Sequence, residues 1–174
     1  MLETAYPTVR LGDVCDLIPA RSLSTKGDEE VTAITTACLT ETGFDPAGLK
    51  EAKMHAEDAD QATVGAGEVL VARSNTAELV GRASVYDGSP AGIVASDLVI
   101  RVQPGPNVDS DYLGAYLSML FATGYWQEVS GGASGSMKKI RRTHLRGLEF
   151  PLPTLRQQRH IVAEVAGMLD AQQD

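Results

Sequence analysis

Residues Ser130–Arg159 read SGGASGSMKKIRRTHLRGLEFPLPTLRQQR, and the rest of the chain is organised around them. The stretch opens on a loop of small residues, Ser130 to Ser136, too glycine-rich to pack. Such a loop either flexes or lets its backbone approach a partner closely. A basic run follows: Lys138, Lys139, Arg141, Arg142, His144 and Arg146. Leu148 to Pro151 then reads as an edge strand stopped by proline, and a polar helix begins after Pro153. From Gly131 to His160 there are seven Lys or Arg and one acid, Glu149, whereas the whole chain holds 15 basic and 23 acidic residues. The protein is therefore acidic with one concentrated basic segment. That polarity suits an anionic partner, of which nucleic acid is the commonest large one. The competing reading is a solvated surface run that offsets acids elsewhere.

A chain of 174 residues with 43% apolar content fits one domain with a real core. No apolar run is long enough to span a bilayer. The first ten residues, MLETAYPTVR, lack the regions of a signal peptide. Cys15 and Cys38 show no metal-binding spacing and no disulfide framework, so a reducing cytoplasm is the expected setting, with no metal and no cofactor.

Working outward, Thr154 and Gln157 have capping-box spacing, which starts a terminal helix over 153–174. Its apolar stripe is Leu155, Ile161, Val162, Val165, Met168 and Leu169. That stripe predicts partial docking on the domain with a free distal half. Upstream, Asp109 to Val129 is the strongest helix, with Leu113, Tyr116, Leu117, Leu120 and Phe121 on one stripe and Asp109 or Ser110 as N-cap. Tyr116, Tyr125 and Trp126 would serve as a base-stacking platform, but at this spacing core packing is the commoner role. Glu68 to Arg73, Leu79 to Tyr86 and Gly92 to Val102 read as strands, with Ser74–Glu78 joining the first two. Val31 to Leu39 reads as a further strand. Leu49 to Gln61, rich in Ala, Lys and Glu, reads as a surface helix or ordered loop. Thr143 is expected to cap a short turn over His144–Gly147.

These residues carry a family resemblance. Val9–Val14 (VRLGDV) resembles the opening Leu-Gly-Asp-Val of the specificity subunits of type I restriction-modification systems. Gly67–Thr76 (GEVLVARSNT) resembles that family's Gly-Asp-Val-Leu strand and the turn after it. Ser134-Gly135-Ser136 through Ile140 and Leu145 resembles its late Gly-Ser loop and basic segment. Phe150–Val162 (FPLPTLRQQRHIV) resembles its Pro-Leu-Pro, Glu-Gln, Ile signature. Glu68 stands where Asp is usual, and Gln157 where Glu is usual. A full subunit has two recognition domains separated by long helices; this chain has one, plus the start of one helix.

The resemblance implies a target recognition domain with no catalysis of its own, reading one half of a split DNA site. Its partners would be double-stranded DNA and a DNA methyltransferase (modification) subunit. A restriction subunit and a second copy of the chain, paired through the C-terminal helix, are further candidates. The expected contacts are Lys138, Lys139, Arg141 and Arg142, with Ser134 and Ser136 in the preceding loop. Arg73, Asn75 and Thr76 form a second tier, since Arg and Asn suit bidentate base contacts while a hairpin Asn is as often turn chemistry.

Two rival classes, an enzyme and a protein-interaction module, leave different marks in a sequence. The methyltransferase motif Asn-Pro-Pro-aromatic is absent. Asp45, Glu51 and Lys53 loosely match a nuclease Asp…Glu-x-Lys pattern, in a predicted helix or loop and not on a core strand. His55, His144 and His160 have no nucleophile at a diagnostic spacing. The other rival is a protein-interaction module docking on a methyltransferase or another acidic partner without reading DNA. The sequence thus predicts a non-enzymatic α/β domain over 1–153, a twisted and mostly antiparallel sheet with packed helices. Residues 154–174 would begin a coiled-coil-like spacer.

Overall fold

The computed structural model describes residues 6–129, 131–134 and 137–173, the side chains of 131–134, 137 and 169–173 excepted. A four-stranded antiparallel sheet forms its centre, in the order Cys15–Ile18, Val99–Pro104, Val69–Ala72, Ala83–Val85. All four residues of Val69–Ala72 are buried, because both faces of this sheet are covered. Val69 and Val71 point into a core with helix Ser110–Ala122. Leu70 and Ala72 point into a second core with Ile34, Cys38, Leu39 and Tyr86. Successive strand residues alternate faces, so a continuous apolar run is what a sheet covered on both sides requires. Each fully buried Val or Leu there is worth about 1.5–3 kcal/mol.

A second, mixed sheet runs Val94–Ala95, Glu29–Ile34, Lys50–Met54. The expected helix over Leu49–Gln61 is therefore half wrong. Lys50–Met54 is an antiparallel partner of Glu29–Ile34, and only Ala56–Ala62 is helical. The expected strand over Gly92–Val102 is likewise two strands, divided between the two sheets by a turn at Ser96–Leu98. Val31–Leu39 strand pairing stops at Ile34, and Thr36–Cys38 forms a 3-10 turn capped by Thr35.

The nuclease-like trio does lie partly on a strand, but its carboxylates are otherwise engaged. Asp45 caps the turn Pro46–Gly48 through Ala47 N, and Glu51 accepts from Thr32 Oγ1 at 3.0 Å. Among the described residues no His, Cys, Asp and Glu group has metal-holding geometry, and no helix is long and apolar enough to cross a membrane.

The long helical prediction, Asp109–Val129, is two helices, Ser110–Ala122 and Tyr125–Val129, parted at Gly124 (φ +80°). Asp109 caps the first, accepting from Tyr112 N at 3.1 Å. Among the described residues Thr143 makes no cap bond. It lies inside helix Arg142–Arg146, whose N-cap residue is Arg141 and has no side-chain cap bond. Glu149–Pro151 pairs with Thr8–Arg10, bringing the two ends of the domain together.

The signature segment docks the terminal helix, Leu155–Gln173. Thr154 and Gln157 form the expected reciprocal cap, with Gln157 Oε1 accepting from Thr154 N at 2.9 Å and Thr154 Oγ1 from Gln157 N at 3.2 Å. Gln158 is fully buried. Its amide donates to the carbonyls of Asn107 (2.8 Å) and Pro153 (2.9 Å), and its oxygen accepts from Asp109 N (2.8 Å). Leu152, Ile161 and Val162 pack on the first core, while Val165 and Met168 are 42% and 66% exposed.

Candidate nucleic-acid interface

One end of the central sheet gathers the segments singled out in the sequence. Met137–Lys139 pairs antiparallel with Ser74–Asn75, Lys138 opposite Asn75 and Lys139 opposite Ser74. Ile140 N then donates to Arg73 O at 2.9 Å. Opposed residues share a face, so Lys138 lies beside Asn75 and Lys139 beside Ser74 on the other side. Segments more than 60 residues apart in sequence thus meet on one strand pair, with candidates on each of its faces. Gly131–Ser134 adds a third strand. The expected loop is therefore strand at those four positions. Ser136, and the side chain of Ser134, lie outside the described residues.

The candidates do not all play the same part. Lys139 and Arg141 are exposed and Lys138 is half-buried. Arg142 is half-buried, and its Nη2 donates to Ile18 O at 2.7 Å, tying the basic segment to the last residue of a central strand. Burial, and then the like charges of Arg146 and Arg73, hold its pKa below the usual guanidinium value. Arg73 reaches Asp97 O at 3.3 Å and its Nε is buried without a partner among the described residues. Asn75 Oδ1 accepts from Thr76 N at 2.8 Å, which is turn chemistry. Among the described residues, no carboxylate lies within ion-pair distance of Arg73, Lys138, Lys139, Arg141, Arg142 or Arg146. A cluster of like charges without counter-ions is costly unless an anion completes it.

Sequence reading missed a buried ion pair of the central sheet. Arg101, 6% exposed, holds Glu68, 2% exposed, through two hydrogen bonds of 2.7 and 3.0 Å. It also donates to Gln61 O and Thr63 O, both at 2.8 Å. The available signal was a charged residue in the middle of the apolar run Val99–Val102, with an acid just ahead of Val69. Sequence reading also missed the cluster behind the basic strand. Tyr125 OH lies 2.6 Å from His144 Nε2, and the His144 ring packs edge-on against Tyr125 and Trp126. Trp126, 1% exposed, is core and presents no stacking face. Tyr116 is also bound inward, its hydroxyl donating to Glu149 O at 2.6 Å.

Solved structures share the fold. A chain from a structure of complex assembly and conformational transition in the type I restriction-modification system superposes over 98% of this chain, with a TM-score of 0.68 and 21% identity. The HsdS subunit of Thermoanaerobacter tengcongensis does so over 98%, at 0.66 and 20%. The chain has the target recognition domain fold of type I specificity subunits. It covers 40% and 39% of those two chains. A curated protein of Methanocaldococcus jannaschii, named as the specificity subunit of the type I restriction enzyme MjaX, is 25% identical over 95 residues. Those are 55% of this chain and 22% of that protein. No protein-family model matches. Within the specificity-subunit fold, the Gln of the terminal signature has a structural part here: Gln158 fastens the helix to the domain.

Proposed function

We propose that the chain reads DNA sequence for a type I restriction-modification complex, recognising one half of a bipartite site and performing no catalysis. The observation that carries this reading is the convergence of Lys138, Lys139 and Arg141 with Arg73–Thr76 on one sheet end, with no carboxylate partners among the described residues. Cations on a strand pair position the protein on phosphates, and neighbouring Asn and Arg side chains suit base edges. The specificity-subunit fold supports the same reading. Residues 1–153 would be the recognition domain. Residues 154–174 would begin a spacer, whose exposed Val165 and Met168 suit a helix partner such as a second copy. A methyltransferase subunit, and a restriction subunit beside it, are the expected protein partners in the cytoplasm.

The test is a Lys138→Ala, Lys139→Ala, Arg141→Ala variant titrated with duplex DNA over a range of salt. Arg142 is left intact because it holds the segment to Ile18. Each lost phosphate contact lowers the salt slope by about 1, and the exposed changes, at Lys139 and Arg141, move stability by roughly 0.5 kcal/mol or less each. Unchanged affinity and slope in a folded variant would refute DNA reading. Loss of methyltransferase binding in a chain that never bound DNA would favour the interaction module.

A further inference from the structure

We infer that the cleft between helix Tyr125–Val129 and the segment 139–144 is a seat for one DNA backbone phosphate, an inference that rests on the DNA-reading function above. The cleft encloses about 330 Å³. Its floor is Trp126 and Ile140, each 1% exposed. Its rim carries Lys139, Arg141, Thr143 and His144, and among the described residues no carboxylate lines it. An ammonium, a guanidinium, a hydroxyl and an imidazole all donate hydrogen bonds to anionic oxygens.

The imidazole is held in place for this. Its Nε2 is taken by Tyr125 OH at 2.6 Å, and its ring packs between Tyr125 and Trp126 with centroids 5.7 and 5.5 Å away. Nδ1 is the ring nitrogen left for a ligand, and it is a donor in the tautomer whose Nε2 accepts from the Tyr125 hydroxyl. A base edge presents donors and acceptors together, whereas this rim offers almost only donors. Trp126 is too buried to stack on a base. A phosphodiester, which only accepts, matches the rim. A phosphate seated beside Lys139 would also bring its neighbouring bases toward the face that Lys139 shares with Ser74.

Trp126 is the sole tryptophan, so its emission reports on the cleft directly. The full chain would be titrated with labelled duplexes carrying a motif enriched by the chain from a randomised duplex pool, each with a single methylphosphonate in place of one phosphate. Anisotropy and Trp126 emission would both be read. One methylphosphonate position is expected to weaken binding about ten-fold, as loss of a charged hydrogen bond does. At that position, Arg141→Gln and Thr143→Ala should add little further loss. Trp126 emission should shift with the same midpoint as the anisotropy. Full additivity at every position, or an emission unmoved by saturating duplex, overturns the seat while leaving DNA reading intact. An emission shift with inorganic phosphate alone, uncoupled from any DNA phosphate, assigns the cleft to a free anion and also overturns it. Absence of any anisotropy change removes DNA reading itself, and the seat with it.

Discussion

Replacing Glu68 by Gln strips the counter-ion from a guanidinium that has nowhere else to go. Arg101 is 6% exposed and Glu68 2%, and their two hydrogen bonds are 2.7 and 3.0 Å long. Breaking a buried pair by removing one partner costs roughly 3–5 kcal/mol. Arg101 keeps its bonds to Gln61 O and Thr63 O, so the lower end, about 3 kcal/mol, is expected. For a domain of this size each kcal/mol moves Tm by about 2–4 °C, giving a fall of roughly 6–12 °C. Thermal melts followed by circular dichroism, and urea titrations with an unchanged m-value, would measure it. The double variant Glu68→Leu, Arg101→Met removes both charges and should recover more than half of the loss. A remainder is expected, because Gly65 N, Gln61 O and Thr63 O lose their partners. A single variant within about 1 °C of the parent, by the same conversion, would refute the reasoning. So would a double variant less stable than the single.

Gly81 has φ +87°, and a Cβ built there would stand 2.1 Å from Trp126 Cδ1. Gly81→Ala should therefore cost about 3 kcal/mol, combining left-handed strain with overpacking, and should alter Trp126 emission, which together check it. Gln158→Ala removes three hydrogen bonds at 0% exposure; faster amide exchange along Leu155–Gln173, with the central sheet still protected, is the expected result. Burial pushes the Cys15 thiol from an ordinary 9.0 to about 11. Its folded pKa is the raised one, so its contribution to stability is complete below pH 9, where both states are protonated, and is lost as pH rises through about 11. Alkaline titration of stability, compared with Cys15→Ala, checks the sign, and thiol reagents at pH 8 should modify Cys15 only when the domain opens.

What was legible in the sequence was local. The Asp109 cap, the Thr154–Gln157 box and the apolar run Val69–Ala72 depend on residues a few positions apart, and each stands where it was expected. Lys50–Met54 was misread because Lys, Glu and Ala favour helix. Backbone pairing with Glu29–Ile34 overrides that weak preference. Gly92–Val102 looks continuous by composition, and only the turn at Ser96–Leu98 sends its halves to different sheets. The basic run was visible from charge alone. Its convergence with Arg73–Thr76, and the commitment of Arg142 to Ile18 O, depend on a register set across more than 60 residues. No local pattern encodes such a register. In the sequence His144 is one member of the basic run, and its partners Tyr125 and Trp126 come from the preceding helix.

The measurement that bears most directly on the central claim is selection from a randomised duplex pool, at low and moderate salt, with and without a cognate methyltransferase subunit. The account predicts one short enriched motif for the wild-type chain, a two-part motif where two copies assemble, and loss of enrichment in the Lys138→Ala, Lys139→Ala, Arg141→Ala variant. No enriched sequence under any condition, with the methyltransferase present, would contradict it.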